Sequence, residues 1–274
     1  MVVLAAMSMS IAAHASGDIP GTPEIQDVPV TDIDPAVLPA SEQPQDRSRW
    51  RVEVAPYIWS AGMKGRAATL PGLPAVDVDM SFKDVVRDLS FGIIGSVAAR
   101  RENLVIFADV YYARIRTSEE IPSPLFTGVN VRNETFSGLL SAGYVLTPPG
   151  PITVQAVAGV RAWSMETEID LKSPIPALSL QTKARKQWVD PVVGIQMAAK
   201  LAPRWSVEFG ASTGGFGIAS DWMLGLAGSV SYHLDRHWVL GVGYRHLAVD
   251  YRSRDGFIFD AALSGGLIGA RYHF

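Results

Sequence analysis

Residues 222–234 read WMLGLAGSVSYHL, a run in which character changes at every second position. Trp222, Leu224, Leu226, Val230, Tyr232 and Leu234 share one face, and Met223, Gly225, Ala227, Ser229, Ser231 and His233 share the other. Period two is the mark of a strand, whose successive side chains point to opposite sides. The fold turns on the quality of those two faces. One is apolar with aromatics near its ends; the other is small and polar, which would make a poor core for a soluble sandwich. Turned outward toward lipid, the apolar face is instead the outer surface of a membrane barrel, and the polar face its lumen.

The pattern recurs along the chain. Trp205, Val207, Phe209 and Ala211 alternate with Ser206, Glu208, Gly210 and Ser212. Phe136, Leu140, Ala142, Tyr144 and Leu146 share a face opposite Ser137, Ser141 and Gly143. The final residues, GARYHF (269–274), place Tyr272 and Phe274 on one face and Arg271 and His273 on the other. Trp205, Trp222, Trp238 and Phe274 sit at segment ends beside turns, the placement of aromatic girdles.

Turn lengths agree. Short connections fall near 101–103, 147–151, 202–204 and 234–237, and long ones near 62–90, 117–131, 168–182, 214–221 and 252–257. Strict alternation of short and long is the habit of barrels with tight periplasmic turns and longer outer loops. Nine connections imply ten strands, with eight or twelve open because 63–80 has room for another hairpin. The expected fold is therefore all-β, a transmembrane antiparallel up-and-down barrel with a short helix in one outer loop. That helix is expected in SFKDVVRDL (81–89), where Phe82, Val85, Val86 and Leu89 have helical spacing and Ser81 can cap. Folded into the barrel mouth, those four residues would form a constriction; packing at the rim fits the pattern equally.

Composition bounds the rest. The 274 residues are 48% hydrophobic and 19% charged, with no cysteine, so neither a disulfide framework nor a thiolate metal site is available. No run reaches the ~18–20 apolar residues of a membrane helix. Residues 1–15 read as a signal peptide with Ala13-His14-Ala15 as its cleavage site, although the basic front part is missing. Residues 16–48 carry seven acids, one Arg and six prolines, which predicts a disordered acidic periplasmic linker. Residues 49–274 form the barrel; their slight basic excess is too small to suggest nucleic acid.

GVGYRHLAVDY (241–251), GGFGIASDWM (214–223), VDVDMSFKDVVRDL (76–89) and GLIGARYHF (266–274) together resemble a porin-like group of Gram-negative outer-membrane β-barrels. The resemblance covers about residues 50–274 and carries no assigned reaction. It implies the outer membrane, and a C-terminal signal at Tyr272 and Phe274 for the barrel-assembly machinery.

Chemistry finds little purchase. Asp77 and Asp79 form an Asp-x-Asp in an outer loop, as in an omptin protease, but a general base also needs a partner within hydrogen-bond reach. His246 and Asp250 lie about 13 Å apart along one strand. His233 and Asp235 sit at a periplasmic turn. For a lipid A deacylase, Ser253 is the serine nearest to His246 in sequence, on the opposite face. No metal, cofactor or phosphate-loop spacing is present. What remains is a set of lumen-facing charges: Glu53, Arg100, Asp109, Arg161, Asp190, Glu208, Arg245 and Arg271. Lining a narrow path, they make a channel for small solutes; pairing across the lumen, they seal a structural or surface-interaction barrel. Arg114, Arg116, Arg132, Lys183, Arg185, Lys186, Arg252 and Arg254 lie at outer strand ends, where lipopolysaccharide presents phosphates. Lipopolysaccharide, a loop-binding partner and a homo-oligomeric copy are the partners this reading allows.

Overall fold

The computed structural model describes residues 49–68, 75–120 and 125–274. The signal peptide and linker readings fall on 1–48, outside the described residues. The strands are β1 (Arg51–Ala68), β2 (Val76–Met80), β3 (Leu89–Arg101), β4 (Leu104–Glu120), β5 (Gly128–Val145) and β6 (Ile152–Lys172). After them come β7 (Leu180–Ala202), β8 (Trp205–Gly214), β9 (Trp222–His233), β10 (Trp238–Arg252) and β11 (Ile258–His273). A helix, α1 (Phe82–Asp88), lies between β2 and β3.

Ten strands close on themselves. Each consecutive pair from β3 to β11 is antiparallel, and β11 returns to β1 with Glu53 opposite His273 and Ala68 opposite Ile258. Closure pairs the strand edges everywhere but along the upper β1–β3 seam, as strands must to cross a bilayer whose core offers backbone groups no water. β1 begins and β11 ends beside the short turns at 102–103, 146–151, 203–204 and 234–237, as an even strand number requires. Phe274 donates its N–H to the Val52 carbonyl at 3.0 Å, so the last residue is tied to the first strand.

The outward faces carry Ile58, Ile93, Leu140, Val193, Val242 and Ile268, all widely exposed. Near the short turns these give way to aromatics in contact: Trp205 with Tyr232, Trp238 with Tyr272, and Tyr272 with Phe274, at centroid distances of 4.9, 4.9 and 4.8 Å. Amphipathic rings at one level of an apolar band mark a membrane interface.

Strand heights are unequal. β6 and β7 run 21 and 23 residues, whereas β8 and β9 run 10 and 12. The connections expected at 117–131 and 168–182 are therefore mostly ladder: Glu120 pairs with Gly128, and Leu171 with Leu180. Toward their outer ends these strands carry polar residues on both faces, so hydrophobicity no longer alternates there, yet the backbone pairing continues.

One seam departs from the simple barrel. β1 pairs with β3 only from Arg51–Arg100 to Pro56–Gly95. Proline has no N–H to give, so Pro56 is a natural stop for that ladder. Higher up, β1 takes β2 as its neighbour, Met63 opposite Met80 through Ala67 opposite Val76, while β3 continues with β4 alone. α1 sits in the interval, contacting β1, β2 and β4. Its start is fixed by a capping box: Asp84 N–H donates to Ser81 Oγ, and Ser81 N–H to the Asp84 carboxylate. Gly62 permits the close approach of β2, because a Cβ there would stand 2.8 Å from the Met80 carbonyl oxygen.

Candidate functional site

Side-chain alternation places Glu53, Arg100, Asp109, Arg161, Asp190, Glu208, Arg245 and Arg271 on the lumen side of their strands. They group in tiers. Nearest the short turns, Arg271 grips Glu208 with two bonds of 2.7 and 2.8 Å and stands 3.9 Å from Glu53. Glu53 also reaches His273 Nδ1 at 3.3 Å, and Ser206 Oγ meets His233 Nε2 at 3.1 Å. Gln155 and Gln196 are bonded across β6 and β7, and Arg100 turns to the Glu102 carbonyl at the turn.

The middle tier spans the lumen. Arg245 on β10 donates to Asp109 on β4 at 3.1 Å and to the Tyr57 hydroxyl at 2.8 Å, while that hydroxyl donates to Asp109. Four steps round a ring of ten separate β10 from β4, so these bonds cross the interior. The Arg245 guanidinium also lies over the Trp59 ring, 4.9 Å from its centroid. Arg161 donates to Ser137 Oγ at 2.9 Å and sits 5.9 Å from the Trp163 ring.

Above it the interior is aromatic, which the sequence reading did not foresee. Trp163 stacks on Trp188 at 5.7 Å, and Trp188 on Tyr251 at 4.1 Å with planes 9° apart. Phe259 on β11 touches Trp163 on β6, the strand facing it across the ring, at 6.2 Å. Asp190, fully buried, accepts from Trp188 Nε1, Ser220 N and Ser220 Oγ at 3.1, 2.8 and 2.7 Å. The signal for this plug was strand parity: Trp163 and Trp188 lie two residues from Arg161 and Asp190, on the same faces.

The proposed constriction lies elsewhere. None of the residues of α1 is buried; Phe82, Val86 and the adjoining Leu89 are exposed beside Phe91 and Ile93. Of the two placements the sequence left open, the structure shows the rim. The lumen is filled by Trp and Phe from the strands, leaving the helix to cover the seam. Asp77 and Asp79 belong to β2, where they pair with Arg66 at 3.8 Å and Lys64 at 3.2 Å. The serine nearest to His246 comes from the next strand, not from Ser253: Ser264 Oγ lies 2.7 Å from His246 Nδ1 on the lipid-facing side. That ring has no carboxylate partner among the described residues, so the pair lacks the group that would orient a base. Among the described residues no three His, Asp or Glu side chains are placed to hold a metal.

On the outward side of β4–β7, above the apolar band, carboxylates are each shared by two cations. Glu134 holds Arg114 at 3.0 Å, Arg132, and the Tyr112 hydroxyl at 2.9 Å. Glu166 holds Lys183 at 2.6 Å and Arg185 at 3.8 Å. A cleft of about 240 Å³ lies above, lined by Arg116, Asn130, Arg132, Glu168 and Asp170 among others.

A closed, even-stranded barrel with an apolar lipid face, an aromatic girdle and a charged interior defines an outer-membrane β-barrel protein of the Gram-negative type. The chain matches no protein-family model and no curated protein. Among solved structures it is similar to the outer-membrane protease OmpT from Escherichia coli, at 11% identity and a TM-score of 0.47 over 82% of this chain and 96% of that one. The translocator domain of the autotransporter NalP from Neisseria meningitidis gives 11% and 0.44 over 82% and 88%. The attachment invasion locus protein Ail of Yersinia pestis gives 11% and 0.32 over 82% and 98%.

Proposed function

We propose that this protein is a sealed barrel that works at its outer surface by engaging lipopolysaccharide, and not a solute channel. The observation that carries the reading is the interior: Arg245–Asp109 bonds and the Trp163–Phe259 contact join opposite walls at two heights. Lumen-facing Met223, Val249 and Phe259 are 1–2% exposed, which supports a filled interior on the β9–β11 side. The outer rim supplies the binding chemistry. Four cations share two carboxylates, so each cluster keeps a net positive charge beside the level of lipid phosphates, with Arg able to bond them in pairs.

Two measurements test it. Refolded protein in planar bilayers should give no unitary conductance steps. Replacing Arg114, Arg132, Lys183 and Arg185 together with Gln should weaken lipopolysaccharide binding by ten-fold or more, at about 1.5–3 kcal/mol per charged hydrogen bond lost, while the barrel still assembles. Regular conductance steps in the unaltered protein would restore the narrow-channel reading. Unchanged lipid binding in the quadruple variant would remove the rim from it.

A further inference from the structure

The seam between β1 and β3 has a consequence for lipid. From Tyr57 to Gly62 on β1, and from Leu89 to Ile94 on β3, the facing edges have no strand between them. A strand tilted about 45° rises roughly 2.3 Å per residue along the membrane normal, so the interval starts about 12 Å above the periplasmic girdle and ends about 23 Å above it. Its lower part lies in the outer-leaflet half of the apolar band, and its upper part, where Phe91 pairs with Arg114, reaches the rim. Unpaired backbone edges are costly in hydrocarbon, so the interval needs a cover.

The cover is slight. α1 has seven residues, too few to persist as an isolated helix, and none of them is buried. Its polar ties include the Ser81–Asp84 cap and a 2.7 Å bond from Thr117 Oγ1 to Asp88, together with ion pairs among its own residues. A seven-residue element with no buried side chain belongs to the part of a protein that opens first. Behind it stand Trp59 and Tyr111, ring to ring at 5.9 Å and 76°, spanning from β1 to β4 past the strand that has drawn away. Ile94 packs against the same cluster. The outer lips, Ile58, Phe91 and Ile93, are apolar and face lipid.

We propose that this interval is a lateral binding site for one acyl chain of an outer-leaflet lipid, with α1 as its movable cover and Trp59 and Tyr111 as its inner wall. The occupant follows from position and chemistry: the opening faces the hydrocarbon of the outer leaflet, its lips are aliphatic and aromatic, and the wall it leads to is aromatic. A linear chain can enter sideways there without crossing the plug formed by Trp163 and Phe259. The site is separate from the cationic rim on β4–β7, and loss of the rim cations leaves it intact.

The test uses refolded full-length protein in vesicles of phosphatidylethanolamine carrying a diazirine in one acyl chain. After illumination, adducts are mapped by mass spectrometry. Adducts are expected on Trp59 and Tyr111 as well as on the lipid-facing Ile58 and Ile93, with Trp163 and Phe259 unlabelled. The chain has no native cysteine, so Asp88→Cys with Thr117→Cys pins the cover by a single disulfide. Oxidation should abolish the Trp59 and Tyr111 adducts and keep those on Ile58 and Ile93; reduction should restore them. Replacing residues 82–87 with Gly and Ser is the second variant, and should raise inner-wall labelling; Ile58 and Ile93 adducts report that it has assembled. Absence of inner-wall adducts in both the unaltered protein and the helix replacement overturns the proposal. So does labelling that the disulfide leaves unchanged, or labelling of Trp163 equal to that of Trp59.

Discussion

Asp109→Ala tests the sealed interior most directly. In the folded barrel Asp109 and Arg245 side chains are 5% and 14% exposed, joined at 3.1 Å, with Tyr57 bonded to both. Removing the carboxylate leaves a guanidinium without counter-charge and a phenol without its acceptor. Breaking a buried pair on one side costs about 3–5 kcal/mol, and replacing both partners with apolar groups costs far less. Asp109→Leu with Arg245→Met should therefore recover most of the loss, giving a coupling of about 2–4 kcal/mol in a double-mutant cycle. The assay is unfolding by guanidinium in lipid vesicles, followed by tryptophan fluorescence and by gel mobility of unboiled samples. A single-variant cost below about 1 kcal/mol would mean that water already screens the pair. In that event the lumen is wet at mid-height, and the sealed barrel is the wrong description.

Three further outcomes are expected. Deleting Phe274 or replacing it with Asp should lower assembled protein in the outer-membrane fraction far more than removing residues 16–45, because Phe274 closes on Val52 and on Tyr272; equal yields would refute its role. Gly265→Ala should impair assembly where Gly210→Ala does not, since the new Cβ would lie 2.0 Å from the Ser60 carbonyl oxygen in one case and 3.7 Å from the flexible Gln196 side chain in the other; boiled and unboiled gel bands separate the two. Asp255 in the β10–β11 loop is held down to about 2 by bonds from Lys186 and Ser253 and from the Phe257 N–H. A depressed carboxyl stabilises its loop fully above the ordinary carboxylate pKa and loses that contribution as pH falls through about 2, so amide protection in 253–257, taken relative to the intrinsic exchange rate at each pH, should fall between about pH 4 and 2, and Asp255→Asn should flatten the change.

Much of this molecule is readable from its residues because a membrane barrel makes its two faces differ so sharply. β9 shows it best: Leu226 and Val230 face lipid, while Ser229 and Ser231 cannot. The inward aim of Arg245 and Glu208 follows from the same parity, and the ten-strand count from the alternation of short and long connections. Parity is lost where both faces carry polar residues. Glu166, Thr167 and Glu168 give no alternation, yet they are strand, because β5 and β7 pair with them on either side. The seam escapes for a related reason: Pro56 signals a break in a ladder, but not which neighbour leaves or what replaces it. Trp163 and Trp188 are cross-strand partners on consecutive strands, but Tyr251 comes from β10, and no local pattern states that it stacks on Trp188.

The unequal strand heights give the protein a direction within the plane of the membrane. On the β6–β7 side a neighbour meets a charged palisade rising past the lipid; on the β8–β9 side it meets a low wall and the loop carrying exposed Phe216 and Ile218. A cylinder of even height would look alike from every azimuth and would mix with its neighbours at random. This one has a front and a back, so its encounters in a crowded bilayer depend on compass bearing. Rotation about the membrane normal, ordinarily a silent motion, thereby changes which height of wall the protein presents.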